Sequence, residues 1–283
     1  MRAIYTPKEF DLLPQPETID FGAAQPKRSI QNFLAELTAD ATESDYLYYS
    51  PIAKFSHQRV RYRLPRYLFL GDTTDAEPIR IGIFAGIHGD EPEGASALVE
   101  FLLRLHREPQ RAFGYQIFGY PICNPSGFED GSHASRAGSD LNHEWWRGSR
   151  EPEIYYLERE LGVIAFHGVV TLHSSDAGHG VYIFSRGATL AESLVEPMLA
   201  AAEQFLPRAK NLAARQCAHG HRLDQHCHER VLSNSAELSP APFEIIIETP
   251  QSAPLELQVH AVIAALDRML AEYRPFLALQ QNI

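Results

Sequence analysis

The sequence predicts an α/β sandwich, a mostly parallel β-sheet with helices covering both faces. Two observations carry the prediction. Short, continuous runs of β-branched and aliphatic residues, among them RIGIFAGI (80–87), VVTLH (169–173) and FEIIIE (243–248), alternate along the chain with amphipathic helical patterns. Strands read this way when both of their faces are buried, because a half-exposed sheet would show polar residues at every second position. The 283 residues, 45% of them hydrophobic, are also enough to bury one sizeable core.

The elements follow in order. Residues 1–25 are proline-rich with little periodicity, which predicts an extended N-terminal arm, with residues 26–283 forming a single domain. Ile30, Phe33, Leu34 and Leu37 fall at helical spacing and predict a helix over 27–39. RVRYRLPRYLFLGD alternates polar and apolar residues, predicting a strand near 59–70 that ends in a turn at Gly71-Asp72. Then RIGIFAGI leads to a helix near 93–106, and YQIFGYPI (115–122) to a long loop and a helix near 151–166. VVTLH, GVYIF (180–184), a helix near 188–206, FEIIIE and a closing helix near 254–274 complete the series.

Charge and composition exclude several classes. The net charge is -11, from 25 basic and 36 acidic residues, and no Lys/Arg-rich block appears, so nucleic-acid and membrane partners have little electrostatic support. No window approaches the roughly 18 uninterrupted apolar residues of a membrane span, and the N-terminal stretch lacks the pattern of a signal peptide. Cys123, Cys217 and Cys227 are an odd, sparse set, which argues against a disulfide framework and for a reducing compartment. The expectation is a cytoplasmic protein acting on a small molecule, with room for a homo-oligomer.

In open α/β sheets the ligand site lies beyond the carboxyl ends of the strands. His88, Glu91, Asn124, His173 and Glu248 each fall within a few residues of such an end. Any one of them is compatible with an ordinary polar cap on the next helix, but the set is harder to explain in that way. In GIHGDEPEG (86–94), His88 and Glu91 stand three apart in a turn leading into a helix, so both can face one ion. His173 would complete a His, Glu, His set, and three protein ligands with one open position are what a catalytic zinc needs. Glu248, ending an apolar strand, is then a candidate general base for a metal-activated water.

The ordered series His88-Gly-Asp-Glu91, Asn124-Pro125 with Gly127, Arg136, Asp140-Leu-Asn142, His173 and Glu248-Thr-Pro spans roughly residues 80–250. It resembles the signature of the zinc metallocarboxypeptidase superfamily, which includes carboxypeptidase A-like enzymes and the succinylglutamate desuccinylase and aspartoacylase branch. The resemblance implies a three-layer α/β/α sandwich with a mixed sheet and one Zn2+ per chain, held by His88, Glu91 and His173. It further implies Glu248 as the base, Arg136 as the group that polarises the scissile carbonyl and holds the oxyanion, and Asn142 as a contact to a substrate carboxylate. The implied activity is hydrolysis of an amide bond in a small peptide. The alternative is an N-acyl amino acid deacylase, favoured by the short interval of 85 residues between His88 and His173. Against it, only 35 residues follow Glu248, too few for the C-terminal domain that branch often carries. An inactive metal-binding relative is a third reading.

Two departures from the family pattern stand out. The family usually continues Asp-Leu-Asn with Arg, a forked partner for a carboxylate, whereas here His143 follows, and imidazole cannot make that contact. Arg147 is a candidate substitute. Where secreted members carry a capping Tyr, this chain has CAHGHRLDQHCHERV (217–231). Its His219, His221, His226 and His228 are candidates for a second metal site or a channel lining, or belong to a solvated loop; Asp140 with His143 is another candidate for a second metal. Glu93 reads as a first-turn helix residue, Trp145-Trp146 as cleft wall or packing, His179 as a turn residue or proton donor, and Cys123 as a small buried residue.

Overall fold

In the computed structural model the apolar runs lie side by side at the centre of one nine-stranded sheet. The structure describes residues 27–73, 77–175, 180–185, 190–209, 218–219, 222–223 and 242–280. The expected arm over 1–25, and His179, His221, His226, His228, Cys217 and Cys227, lie outside the described residues.

The strands are β1 (Leu47–Tyr49), β2 (Ala53–His57), β3 (Val60–Leu64), β4 (Tyr67–Leu70), β5 (Ile79–Ala85) and β6 (Tyr115–Tyr120), then β7 (Gly168–Ser175), β8 (Tyr182–Ser185), β9 (Ala218–His219), β10 (Arg222–Leu223) and β11 (Phe243–Pro250). The sheet order is β1-β4-β6-β5-β7-β11-β8-β10-β9, with β2 and β3 forming a separate hairpin. β6, β5, β7 and β11 run parallel, while β4 flanks β6 and β8 flanks β11 in the antiparallel sense. This is the mixed sheet with a parallel centre that the sequence predicts.

Burial on both faces explains the continuous apolar runs. Side chains alternate across a strand, so Ile81, Ile83, Ala85, Val170, Leu172, Ile245 and Ile247 face one helical layer, built from α2 (Ala35–Glu43), α3 (Pro92–Arg107), α6 (Glu196–Ala202) and α7 (Leu255–Gln280). Phe84, Val169, Phe118 and Tyr120 face the other, where α5 (Pro152–Val163) supplies Ile154, Leu157 and Leu161 beside Trp145 and Phe166. Trp145 is therefore a packing residue, and Trp146 is exposed. No helix among the described residues is long and apolar enough to cross a membrane.

Several boundaries differ from expectation. RVRYRLPRYLFL is two strands in different sheets: Pro65 cannot donate to a ladder, and β3 folds back on β2 through Gln58 and Arg59, whose φ values are 44° and 72°. The buried Arg66 at this break donates to Ser50 Oγ at 2.7 Å and to Glu160 Oε2 at 2.6 Å. The first predicted helix is split at Leu34 into α1 (Ile30–Phe33) and α2. The helix expected near 188–206 opens as a wide turn over Ala191–Val195 before α6, because Pro197 has no N–H to carry the ladder through. The closing helix α7 continues past the predicted end at 274 to Gln280.

Candidate metal centre

The turn after β5 is built from close backbone contacts. Gly86 adopts φ +60°, a left-handed conformation that glycine enters without penalty. Cys123 N and Asn124 N donate to Ala85 O and Gly86 O at 3.0 and 2.8 Å, extending the β5–β6 pairing beyond the strand ends. Gly89 lies so near the next loop that a Cβ there would stand 1.9 Å from Gly127 C. Asn124 locks the two loops together: its Nδ2 donates to Ile87 O at 3.2 Å, and its Oδ1 accepts from Gly127 N at 2.9 Å, capping α4 (Pro125–Asp130). The sequence motif around Asn124 is thus a clamp that shapes the His88 turn.

That turn delivers His88 and Glu91 to the end of β7. Parallel register sets Ala85 opposite Leu172, so the next residue of β7, His173, arrives at the same level. Glu91 joins the two rings: Oε1 lies 2.6 Å from His88 Nδ1 and Oε2 3.0 Å from His173 Nδ1, and Oε2 also accepts from Ser174 N at 3.1 Å. All three residues are buried. Burial opposes charge at Glu91, but the imidazoles of His173 and His88 hold its carboxyl well below the ordinary carboxylate range. At His88 burial is likewise outweighed, by the Asp140 and Glu91 carboxylates, and its pKa is pushed up to about 9.

The donor set fits a divalent cation. One ligand atom from each of His88, Glu91 and His173 lies within 4.8 Å of the others. Nδ1 of both rings turns to the Glu91 carboxylate, so the three donors converge on one buried point. Two imidazoles and a carboxylate are a donor set suited to zinc and its first-row neighbours. Asp140 Oδ1 stands 3.4 Å from His88 Nε2, placing a carboxylate beside the ring as a second support for its orientation.

Glu248 lies next to His173 in the parallel β7–β11 register. Burial pushes its carboxyl up, with the charge of His173 and a hydrogen bond from Tyr182 as partial offsets. Tyr182 Oη donates to Glu248 Oε2 at 3.0 Å. A carboxylate lifted toward neutral pH is suited to taking and returning a proton.

The surroundings contain residues that sequence reading missed. His133 stacks on His88 with ring centroids 3.8 Å apart, its Nδ1 3.3 Å from Asp90 Oδ1 and its Nε2 3.5 Å from Asp140 Oδ2. His143 Nε2 lies 3.3 Å from the same Asp140 oxygen. Asp140 is therefore shared by His88, His133 and His143. Burial works to raise its pKa, but His88 dominates and holds it at about 2. The only sequence signal for His133 was its position between the Asn124 and Asp140 motifs. Tyr182 had none, because only strand register places it at Glu248.

The remaining expected site residues are placed as follows. Arg136 makes a fork with Asp130, Nε to Oδ2 at 2.8 Å and Nη2 to Oδ1 at 2.6 Å, with its guanidinium 5.6 Å from the centre of the Tyr62 ring. Asn142 lies in the short turn Leu141–His143, where its N–H donates to Asp140 Oδ1 at 2.9 Å. His219 lies in β9 at the far edge of the sheet, beyond β8 and β10. Glu93 lies in the first turn of α3 and accepts from Ser174 Oγ at 3.0 Å, and Cys123 is a buried free thiol.

No protein-family model and no curated protein matches the chain. Among solved structures it is similar to a candidate metallopeptidase of Shewanella denitrificans OS217, with a TM-score of 0.70 and 19% identity over 86% of this chain and 89% of that one. A candidate metallopeptidase of Shewanella amazonensis SB2B gives a TM-score of 0.68 and 21% identity over 85% and 92%. A metallo-carboxypeptidase of Burkholderia cenocepacia gives 0.68 and 14% over 87% and 68%. At these identities the likeness is one of fold: the chain shares the α/β/α architecture of these metallopeptidases and metallo-carboxypeptidases.

Proposed function

We propose, on the premise of that shared fold, that the chain is a zinc-dependent hydrolase of amide bonds, acting on small peptides as a carboxypeptidase-like metallopeptidase in the cytoplasm. The observation that supports it best is the meeting of His88, Glu91 and His173 at the flush ends of β5 and β7, with Glu248 on the adjoining strand.

Zinc held by His88, Glu91 and His173 would supply a Lewis acid and a water that ionises near neutral pH. The chain's own groups do the rest. Tyr182 occupies Glu248 Oε2, and the carboxylate takes a proton from water and then gives it to the departing amine. Asp140 holds the His88 ring from behind. Arg136, held in a fork by Asp130, is assigned to the developing oxyanion. Asn142 and His143 follow Asp140 in one short turn and are assigned to substrate contact. With an imidazole where a forked guanidinium is usual, recognition of a free terminal carboxylate is weakened.

The short interval from His88 to His173 supports a second reading, an N-acyl amino acid deacylase built on the same groups. One experiment addresses both. Zinc content and hydrolysis are measured with free peptides, C-terminally blocked peptides and N-acyl amino acids. The unaltered chain should hold zinc at this site, lose it on His88→Ala or His173→Ala, and cleave one of these classes. Glu248→Gln should keep the zinc and lose about 10²–10⁴-fold in kcat. Zinc bound without turnover on any class would favour an inactive relative, and no zinc after reconstitution would overturn the hydrolase reading.

A further inference from the structure

We infer a second divalent-cation site, of zinc-like donor chemistry and independent of the first, formed by His57, Glu151 and Glu153. His57 ends β2 of the hairpin, Glu151 directly precedes α5, and Glu153 lies in its first turn. One ligand atom from each lies within 4.8 Å of the others. Their side chains are 13%, 7% and 0% exposed, so the cluster is closed to bulk water.

Charge balance calls for a cation here. The described partners of the two carboxylates are His57, the hydroxyl of Ser135, which donates to Glu151 Oε2 at 3.2 Å, and the backbone N–H of Glu153 itself. Even a protonated His57 leaves one negative charge, and the N-terminus of α5 offsets only about half of it. Glu153 Oε1 is buried with no hydrogen-bond partner. A buried carboxylate in that state either takes up a proton or binds a cation.

The spacing of the three donors suits a cation. His57 Nε2 lies 3.3 Å from Glu153 Oε2 and 3.7 Å from Glu151 Oε2. Donors 2.0–2.2 Å from a tetrahedral ion stand about 3.3–3.6 Å from one another, close to these separations. One imidazole and two carboxylates suit zinc or a neighbouring first-row divalent metal, with water in the remaining position.

The role this assigns is structural. The ion would tie the hairpin to α5 at a point that also touches the loop bearing His133 and Arg136, through Ser135 on Glu151 and through Gln58 Nε2, which donates to Arg136 O at 3.3 Å.

The test uses the full chain and zinc alone. With the first site removed by His88→Ala and His173→Ala, zinc analysis after dialysis should still find about one ion per chain, and added zinc should raise the Tm. Adding Glu153→Gln, or separately His57→Gln, should abolish both effects. If the first-site variants fold poorly, the same two substitutions in the unaltered chain should each lower zinc by about one ion while leaving the His88-dependent ion bound. A first-site variant that folds but holds no zinc, or zinc that survives both Glu153→Gln and His57→Gln, would overturn the site. None of these readouts requires amide hydrolysis, so the inference stands or falls apart from the proposed activity.

Discussion

Tyr182 Oη and Glu248 Oε2 are 3.0 Å apart, joined across the antiparallel step from β8 to β11 where the two residues are register partners. The hydrogen bond favours the ionised carboxylate, opposing the upward push of burial. A base acts in its ionised form, so activity is present above its pKa and lost below it. Tyr182→Phe should therefore shift the acid limb of the pH–rate profile to higher pH, by roughly 1–2 units for a hydrogen bond to a charged group worth about 1.5–3 kcal/mol. An unchanged acid limb with a uniformly lower rate would assign Tyr182 to packing alone.

The pH response of the metal-free chain follows from the same cluster. His88 has a folded pKa of about 9, above the ordinary 6.5, so the stability it contributes is full below pH 6.5 and lost as pH rises through about 9. Glu91 is shifted the other way, so its contribution is present above the ordinary 4.5 and lost as pH falls through its lower folded value. With chelator present, Tm should be highest between these limits and decline toward pH 9. Protons and metal compete for His88, so apparent zinc affinity measured by calorimetry should rise with pH over the same interval.

Two glycines should respond oppositely to a methyl group. Gly89→Ala sets a Cβ against Gly127 C, Gly127 O and Phe128 N at 1.9, 2.3 and 2.3 Å, all backbone atoms that cannot swing aside. The His88 turn must then leave the Asn124 clamp, with a stability loss of about 1–3 kcal/mol or more and weakened zinc binding. Gly162, inside α5 with no atom within 4 Å of its added Cβ, should be neutral or stabilised by up to about 1 kcal/mol as Ala. Urea melts of the two variants check both directions.

Phe84 tests the face of the sheet covered by α5. Its ring is fully buried and stacked on Tyr120 at 4.4 Å with 5° between planes, with Phe166 edge-on at 6.3 Å. Phe84→Ala should cost about 3–5 kcal/mol in a urea melt.

What the sequence made legible divides along physical lines. β5, β7 and β11 were readable because burial on both faces leaves runs dominated by aliphatic residues, and His88, Glu91, His173 and Glu248 because they stand at the ends of those runs. The division between β3 and β4 was hidden, since strand-forming residues continue on both sides of Pro65. His133 was hidden because its stacking on His88 depends on the path of the loop between Gly131 and Asp140. The Arg136–Asp130 fork and the His57, Glu151 and Glu153 cluster were hidden for a similar reason: tertiary proximity leaves no mark in spacing when the partners belong to separate elements.

The joining of Glu91 to His173 across 82 residues bears on the order in which the molecule assembles. The two meet only after β5 and β7 have paired, and Glu248 joins them only when β11 has docked beside β7. Long-range parallel pairing is slow to form because its loops must close before any contact rewards them. The first centre is thus unable to nucleate the sheet; ion capture comes late, as a seal on a sheet that has already formed. A refolding chain should acquire its first-site metal at the rate of sheet formation, however much zinc is supplied.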